Sequence, residues 1–374
     1  MKVYLDSVST TAPDPEVLST YEKILKEQYC NSDALYDDGV AIYNMQEKSR
    51  EIIASLLKVK KDDILFTSGA SEANSLAVKG LCLKHLNERP HIVTSSYEHS
   101  SIHNAMKQLE EDFGLDVTYI VPEEGIVTPE MVDKAIRKDT LLVSIMAVNN
   151  EIGALNDISA IAKTVKRHPG VYFHTDITQA IGKTDVVLDN VDMASFSAHK
   201  IHGLKGSGVL MKRKHIEILP LISGGQQEYS LRGGTSNAPA NIVLAKTLRL
   251  SLENHEKYQG KMKEYREILT EGLSAIRGVS IHTPKSYIDT LISLSTPIPS
   301  EVLLNALNKK GIMVSSKSTC GSRKNEENRT MKAMGIDEDY VIRVSFDYTN
   351  TKEEYEYFLH SLRDIIEKYG NAVL

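Results

Sequence analysis

Short apolar runs alternate with longer amphipathic stretches between residues 60 and 212 of this chain. Seven of the runs have the length and the β-branched and aromatic content of strands. They cover residues 64–67, 91–94, 117–121, 141–148, 171–175, 193–196 and 209–211. Helical patterns, such as residues 72–86 and 157–167, lie between the earlier runs. This alternation predicts an α/β fold whose mostly parallel sheet is covered by helices on both faces.

The sequence changes in character after residue 250. A charged amphipathic stretch at 251–276 predicts a helix, and strands are expected at 290–294, 312–315 and 341–345. We therefore expect a large domain at 16–250 and a smaller α+β domain formed by 1–15 and 251–374. In the smaller domain, the polar segment at about 316–328 lacks periodicity and is predicted to be a mobile loop.

Composition excludes several classes of protein. Lys and Arg total 44 against 50 Asp and Glu, so the net charge of -6 argues against a nucleic-acid binder. No apolar stretch approaches the ~18 residues of a membrane helix, and the N-terminus lacks a signal region, which favours a cytoplasmic protein. The three cysteines form no CxxC pair, so we expect neither a disulfide framework nor a structural metal site.

Ligands of parallel sheets bind at the carboxyl ends of the strands. The segment 67–72 follows a strand and opens a helix, where free N–H groups and the helix dipole would accept a phosphate beside Ala70 and Ser71. The alternative is that Ser71 only caps the helix.

Lys200 ends another predicted strand, with Ser197 and His199 on one side of it. Two hydroxyl or imidazole donors beside a lysine suit a phosphorylated aldehyde bound as a Schiff base. Asp176 ends the preceding strand, where a carboxylate would keep a pyridine nitrogen protonated. A surface lysine and a helix-capping aspartate are the alternatives.

Three further features follow strands. Asn150 lies where it would contact a cofactor ring or a substrate carboxylate, or simply form a turn. His99 would stack on a planar cofactor and move protons, although it is one of twelve histidines. The glycine-rich segments 223–226 and 231–235 would reach a phosphate in the same or a neighbouring subunit, or serve as flexible connections.

Cys320 is the cysteine whose surroundings favour reactivity. It lies in a polar segment with Lys317, Arg323 and Lys324, and cationic neighbours stabilise a thiolate. Cys82, by contrast, lies in an apolar run that is typical of a buried structural cysteine. We therefore predict that Cys320 is a nucleophile.

The motifs TSGASEAN, YEHSS, VNNEIG, HTDITQ, SFSAHK, RGGT and SSKSTC occur in this order. Together they resemble the NifS/IscS-like cysteine desulfurases of aminotransferase class V, from Tyr4 to the terminal helix. The resemblance implies a fold-type-I transferase that depends on pyridoxal phosphate. Its large domain would hold a mostly parallel seven-stranded sheet, beside a smaller α+β C-terminal domain.

The resemblance also implies roles for individual residues. Lys200 would bind the cofactor covalently and move the Cα proton of the substrate, and His99 would stack on the ring and transfer protons. Asp176 would pair with the ring nitrogen and Gln179 with the phenolic oxygen. The phosphate would be held by Ala70, Ser71, Ser197 and His199, with Thr235 completing the site of the partner subunit in a homodimer.

Arg343 and Asn150 would bind the substrate carboxylate, with Asn31 nearby. Asn31 corresponds to the Asn of a Gly-Asn-Pro-Ser stretch that is common in the family, whereas the Pro of that stretch is absent here. Cys320 would take the sulfur of L-cysteine as a persulfide, release L-alanine, and pass sulfur to an acceptor protein for iron–sulfur cluster assembly or tRNA thiolation. Selenocysteine lyase activity, cysteine-sulfinate activity and a non-catalytic sulfur-relay or scaffold role are the alternatives.

Overall fold

The computed structural model describes residues 1–316 and 328–370. A seven-stranded sheet has the order β2-β8-β7-β6-β5-β3-β4, and β8 runs antiparallel between β2 and β7 whereas the other pairs are parallel. The strands are β2 (Ile64–Thr67), β3 (His91–Ser95), β4 (Asp116–Ile120), β5 (Thr140–Ser144), β6 (Tyr172–Asp176), β7 (Met193–Ser197) and β8 (Gly208–Lys212). The predicted mostly parallel seven-stranded sheet is confirmed.

The run predicted as a strand to residue 148 is a strand only to Ser144. Beyond it, the N–H groups of Ile145 and Ala147 still donate to the carbonyls of His174 and Asp176 on β6. The chain therefore stays beside β6 without forming a full ladder. This extension carries residues 146–150 past the carboxyl end of the sheet.

Eleven α-helices occur in the described residues, and none of them is long and apolar enough to cross a bilayer. They are α1 (Pro15–Glu27), α2 (Asp37–Leu56), α3 (Ala70–Lys84), α4 (Ser100–Phe113), α5 (Pro129–Ala135), α6 (Ile158–Val165), α7 (Gln227–Ser230), α8 (Ala238–Ser274), α9 (Ser300–Lys309), α10 (Arg329–Met334) and α11 (Lys352–Gly370).

Helix α8 begins well before the predicted start at residue 251. Its first half is apolar and buries Val243, Leu244 and Leu248, whereas the charged pattern that predicted a helix begins only after these turns. The expected domain boundary at 250 therefore falls inside a continuous helix, and the division into domains stays a prediction.

Three large apolar cores occur in the described residues. The first lies on one face of the seven-stranded sheet and includes Phe173 and Phe196, and the second includes Leu269, Leu294 and Phe358. The third, which includes Leu65 and Leu142, lies on the other face of the seven-stranded sheet. The second core packs on a sheet of order β12-β10-β9 and on a parallel pair of β1 and β11. These strands are β1 (Val3–Tyr4), β9 (Ser280–His282), β10 (Leu291–Ser295), β11 (Ile312–Met313) and β12 (Val341–Ser345).

The N-terminal segment connects the first and second cores. Leu5 belongs to the second core and Val8 to the first. Between them, the N–H of Ser7 donates to the carbonyl of Ser345, and the N–H of Thr11 then donates to the carbonyl of His199 at the end of the large sheet. Backbone hydrogen bonds thus fix this segment across the carboxyl edge of the strands.

Gly208 permits β8 to approach the loop before α3. A Cβ there would lie 2.6 Å from Cα of Gly69 and 2.6 Å from the carbonyl oxygen of Phe196, both backbone atoms. We expect Gly208→Ala to lower the free energy of unfolding in urea by about 1–3 kcal/mol through overpacking. Gly260→Ala is the matched control, since a Cβ at this exposed position of α8 meets no atom within 4 Å. Equal stabilities of the two variants would contradict the prediction.

Candidate active site

A cavity of about 210 Å³ lies at the carboxyl ends of β5, β6 and β7. Ten of the thirteen predicted site residues line it. They are Ala70, Ser71, His99, Asn150, Asp176, Gln179, Ser197, His199, Lys200 and Arg343. The remaining lining residues are Val8, Ser9, Met146, Val148 and Thr178. The topology therefore brings residues from distant parts of the sequence into one cavity, as the rule for parallel sheets predicts.

Lys200 ends a short 3-10 turn, Ala198–Lys200, that follows β7. Its Nζ donates to the carbonyl oxygens of Val8 at 2.6 Å and of Ser9 at 2.7 Å. The N-terminal segment thus orients the amine along the cavity wall. Sequence reasoning missed this role of Val8 and Ser9, because a backbone acceptor leaves no signature in side-chain type.

Asp176 is buried at the end of β6 and is held by two donors. Its Oδ2 accepts from Nδ2 of Asn74 at 2.7 Å, and its Oδ1 accepts from the N–H of Thr178 at 2.9 Å. The amide nitrogen of Asn74 also donates to Oγ of Ser101 at 2.9 Å. A single side chain of α3 therefore orients both the carboxylate and, through Ser101, the neighbouring histidine. Asn74 stands inside the motif TSGASEAN, but its residue type alone did not indicate this function.

His99 precedes α4, and its Nδ1 accepts from the N–H of Ser101 at 3.2 Å. Burial lowers the pKa of His99, and the nearby cations Lys200 and Arg329 lower it further, against the opposing effect of Asp176. The ring is therefore neutral near pH 7. Because Nδ1 is the acceptor, this hydrogen bond assigns the proton of the neutral ring to Nε2.

The start of α3 forms the other end of the cavity. The N–H of Ala70 donates to Oγ of Ser197 at 2.7 Å, which ties the helix to the end of β7. Gly69 has a φ of +148°, a backbone conformation that favours glycine. Burial lowers the pKa of His199 to about 4, and nearby lysines add to this effect. The imidazole therefore remains neutral and serves as a hydrogen-bonding group.

Arg343 on β12 reaches the cavity from the second core. Its Nη2 donates to Asp6 at 3.1 Å and to Oγ of Ser9 at 2.9 Å, and its Nη1 donates to the carbonyl of Asn150 at 2.9 Å. Its buried Nε has no hydrogen-bond partner within the described ranges. Gln179 also lines the cavity, where its Nε2 donates to the carbonyl of Val8 at 3.0 Å.

Three predicted site residues are not part of this cavity lining. Thr235 and Asn31 are exposed, and neither lines the cavity of its own chain. Cys320 and most of the predicted mobile loop at 316–328 lie outside the described residues. The roles predicted for these three residues stay predictions.

A family model for aminotransferase class-V matches residues 3–358. This chain belongs to aminotransferase class V. A NifS/IcsS protein homolog of Lactobacillus delbrueckii subsp. bulgaricus is 36% identical and covers 98% of each chain. A cysteine desulfurase IscS of Dictyoglomus turgidum is 36% identical, covering 98% of this chain and 95% of the relative.

Solved structures agree with this assignment. A NifS-like protein has a TM-score of 0.92 and 34% identity, covering 98% of this chain and 100% of its own. SspA in complex with cysteine has a TM-score of 0.82 and 31% identity, covering 94% and 100%. The resemblance to NifS/IscS-like members of class V, and the fold that it implies, are therefore confirmed.

This class V chain buries a carboxyl group beneath the cavity. Oε1 of Glu98 accepts from Oγ of Ser95 and from the N–H of Met146, a cavity residue. Burial raises the pKa of Glu98 from 4.5 to about 8, and the negative charge of Asp176 acts in the same direction. The folded protein therefore keeps a proton here that the unfolded chain releases above about pH 5.

We expect the stability of the wild type, relative to Glu98→Gln, to fall as pH rises from about 5 to 8. The folded state binds more protons than the unfolded state in this range, so the contribution of Glu98 is present at the acid end and is lost through a pKa of about 8. Urea unfolding of both proteins at several pH values measures this difference in the free energy of unfolding. Glu123→Gln is the exposed control, and a wild-type-to-Glu98→Gln difference independent of pH would contradict the expectation.

Proposed function

We propose that this chain is a cysteine desulfurase that binds pyridoxal phosphate and converts L-cysteine to L-alanine. The observation that carries the proposal is the joint presence, in one cavity, of the Lys200 amine, the Asp176 carboxylate and the N-terminus of α3. An aldehyde, a pyridine nitrogen and a phosphate need these three groups respectively.

The residues present fit this cofactor. Asp176 is buried and already oriented by two donors, so it would pair with a protonated ring nitrogen. Ser71, Ser197 and His199 surround the start of α3, where a phosphate would bind. The hydroxyl of Thr178, which also lines the cavity, is buried without a partner in the part of the chain that the structure describes. When bound, pyridoxal phosphate supplies an electron sink for the Cα of an amino acid.

Proton transfer would fall to Lys200 and His99. Lys200 is held by two carbonyl oxygens that it leaves when it reacts, and it would then take the proton from Cα of the substrate. His99 is neutral with its proton on Nε2, so it would supply the proton that carbon needs once the sulfur has left. Arg343 would bind the substrate carboxylate, assisted by Asn150, in the bidentate manner that a guanidinium favours.

Both ends of the segment that contains Cys320 are bonded to residues at or beside the cavity. Ser315 exchanges backbone hydrogen bonds with Arg343, and the hydroxyl of Thr330 accepts from Asn149 at 3.2 Å. Cys320 follows Ser315 by five residues. A chain of five residues spans at most about 18 Å, so the sequence keeps Cys320 within that distance of Ser315. This placement supports Cys320 as the sulfur acceptor.

The proposed reaction transfers one sulfur atom from L-cysteine to Cys320. The carbon–sulfur bond of L-cysteine breaks with its electron pair left on carbon, the sulfur bonds to the Cys320 thiolate as a persulfide, and a proton on that carbon completes the methyl group of L-alanine. An acceptor protein for iron–sulfur cluster assembly or tRNA thiolation would then take the sulfur. We also propose a homodimer in which the exposed Thr235 completes the phosphate site of the partner subunit.

We expect the wild type to release equal amounts of alanine and sulfide from L-cysteine with a dithiol reductant. The rates at which Cys320→Ala forms alanine and sulfide should both be lower by more than about 10³-fold, because the sulfur-transfer step lacks its nucleophile. Cys30→Ala is the matched control, since this cysteine does not line the cavity and should keep full activity.

Alanine and sulfide from Cys320→Ala at the wild-type rate would exclude this thiol as the acceptor. A wild type that binds pyridoxal phosphate but forms no alanine would instead exclude the desulfurase reaction. Rates with selenocysteine and cysteine sulfinate then separate the remaining activities on this scaffold from a non-catalytic relay or scaffold role.

A further inference from the structure

Lys183 lies in the turn after β6, behind the wall of the active cavity. Gly182 has a φ of +71°, and a Cβ there would lie 1.9 Å from Oγ of Ser251 on α8. Glycine therefore permits the turn to pack against α8. Lys183 follows Gln179 by four residues in a turn of helical spacing, with the N–H of Lys183 bonded to the carbonyl of Ala180. The two side chains consequently meet on one face.

A continuous set of hydrogen bonds joins this lysine to the reactive one. Nζ of Lys183 donates to Oε1 of Gln179, and Nε2 of Gln179 donates to the carbonyl of Val8 at 3.0 Å. The same carbonyl accepts from Nζ of Lys200 at 2.6 Å. The donor end of the Gln179 amide therefore lies next to the Lys200 amine.

An amide side chain has one acceptor end and one donor end, and either could face the cavity. An amine that donates to Oε1 removes this freedom, because the reversed amide would place two donors against each other. An anionic oxygen of a bound cofactor needs a donor. Lys183 also lines a second cavity of about 200 Å³, together with Ser7, His202 and Asp347.

We propose that Lys183 is a positioning residue that holds the Gln179 amide with Nε2 toward Lys200, ready to donate to an anionic oxygen of the cofactor. The inference rests on the proposed binding of pyridoxal phosphate. It assigns to Lys183 no contact with the substrate.

The surroundings of Lys183 determine the pH range over which it fixes the amide. Burial lowers the pKa of Lys183 to about 7, and repulsion from Lys200 and Arg343 adds to this, against attraction by Asp347. A protonated amine has only donors, whereas a neutral amine also has a lone pair that accepts from a reversed amide. Lys183 therefore fixes the orientation of Gln179 most strongly below about pH 7, and above that pH the Val8 carbonyl, which accepts from Nε2, still favours it.

The test is a pH titration of the visible absorbance of the protein loaded with pyridoxal phosphate. Lys183→Met keeps the apolar stem but removes the donor, so Gln179 can rotate and the anionic oxygen loses its hydrogen bond. Loss of this hydrogen bond makes the protonated form of the linkage between Lys200 and the cofactor more stable relative to the unprotonated form. The absorbance midpoint should therefore rise by about one pH unit, which is a tenfold increase in proton affinity. Lys183→Arg, which retains a donor, should keep the midpoint near the wild-type value.

A double-mutant cycle with Gln179→Leu separates positioning from simple charge. If Lys183 acts through the amide, Lys183→Met should shift the midpoint in the wild-type background and leave it nearly unchanged in the Gln179→Leu background. An equal shift in both backgrounds would overturn the proposal, because Lys183 would then act as a charge through space. Lys212→Met, which removes a buried lysine that does not line the cavity, controls for general effects of losing such a residue.

Two outcomes separate the role of Lys183 from the proposed binding of pyridoxal phosphate. A wild type that retains the cofactor, with a midpoint unaffected by Lys183→Met, overturns the role of Lys183 and leaves the proposed function standing. A wild type that acquires no visible band with pyridoxal phosphate overturns both.

Discussion

The carbonyl oxygen of Val8 is the acceptor on which the active cavity is organised. It accepts from Nζ of Lys200 at 2.6 Å and from Nε2 of Gln179 at 3.0 Å. Its position follows from the N-terminal segment, which is bonded to Ser345 on one side and to His199 on the other. The segment that joins the first and second apolar cores thus also orients the amine, so the stability of the fold and the geometry of the site depend on the same backbone hydrogen bonds.

Helix α3 makes a second contribution of this kind. Its first N–H is tied to Ser197, and one turn later Asn74 orients Asp176 and Ser101. The anion-binding end and the carboxylate are therefore at a separation set by a rigid helix. A buried carboxylate is tolerated only where donors compensate for lost hydration, and Asn74 and the N–H of Thr178 supply them.

Periodicity and strand chemistry predicted the sheet correctly, because strands buried on both faces form short, mainly apolar runs. The rule that ligands bind at the carboxyl ends of parallel strands predicted the cavity through Asp176, which ends β6, and Lys200, which follows the end of the adjacent β7. What could not be predicted depends on tertiary contacts. The backbone acceptor at Val8 carries no residue-type signal, and the start of α8 was missed because its buried half has no charged face. Lys183 stood four residues after Gln179, but only the fold shows that the two side chains meet.

The charges around the cavity explain why so many ionisable groups are paired before any ligand arrives. Lys183, Lys200 and Arg343 repel one another, and this repulsion contributes to the lowered pKa of Lys183. Asp6 and Glu151 lie 3.1 Å and 3.7 Å from Arg343 and offset part of it. An anionic phosphate and a substrate carboxylate would supply further compensation. The cationic groups that lower the stability of the free protein are thus the same groups that favour binding of anions. The preorganised site therefore costs the fold part of its stability.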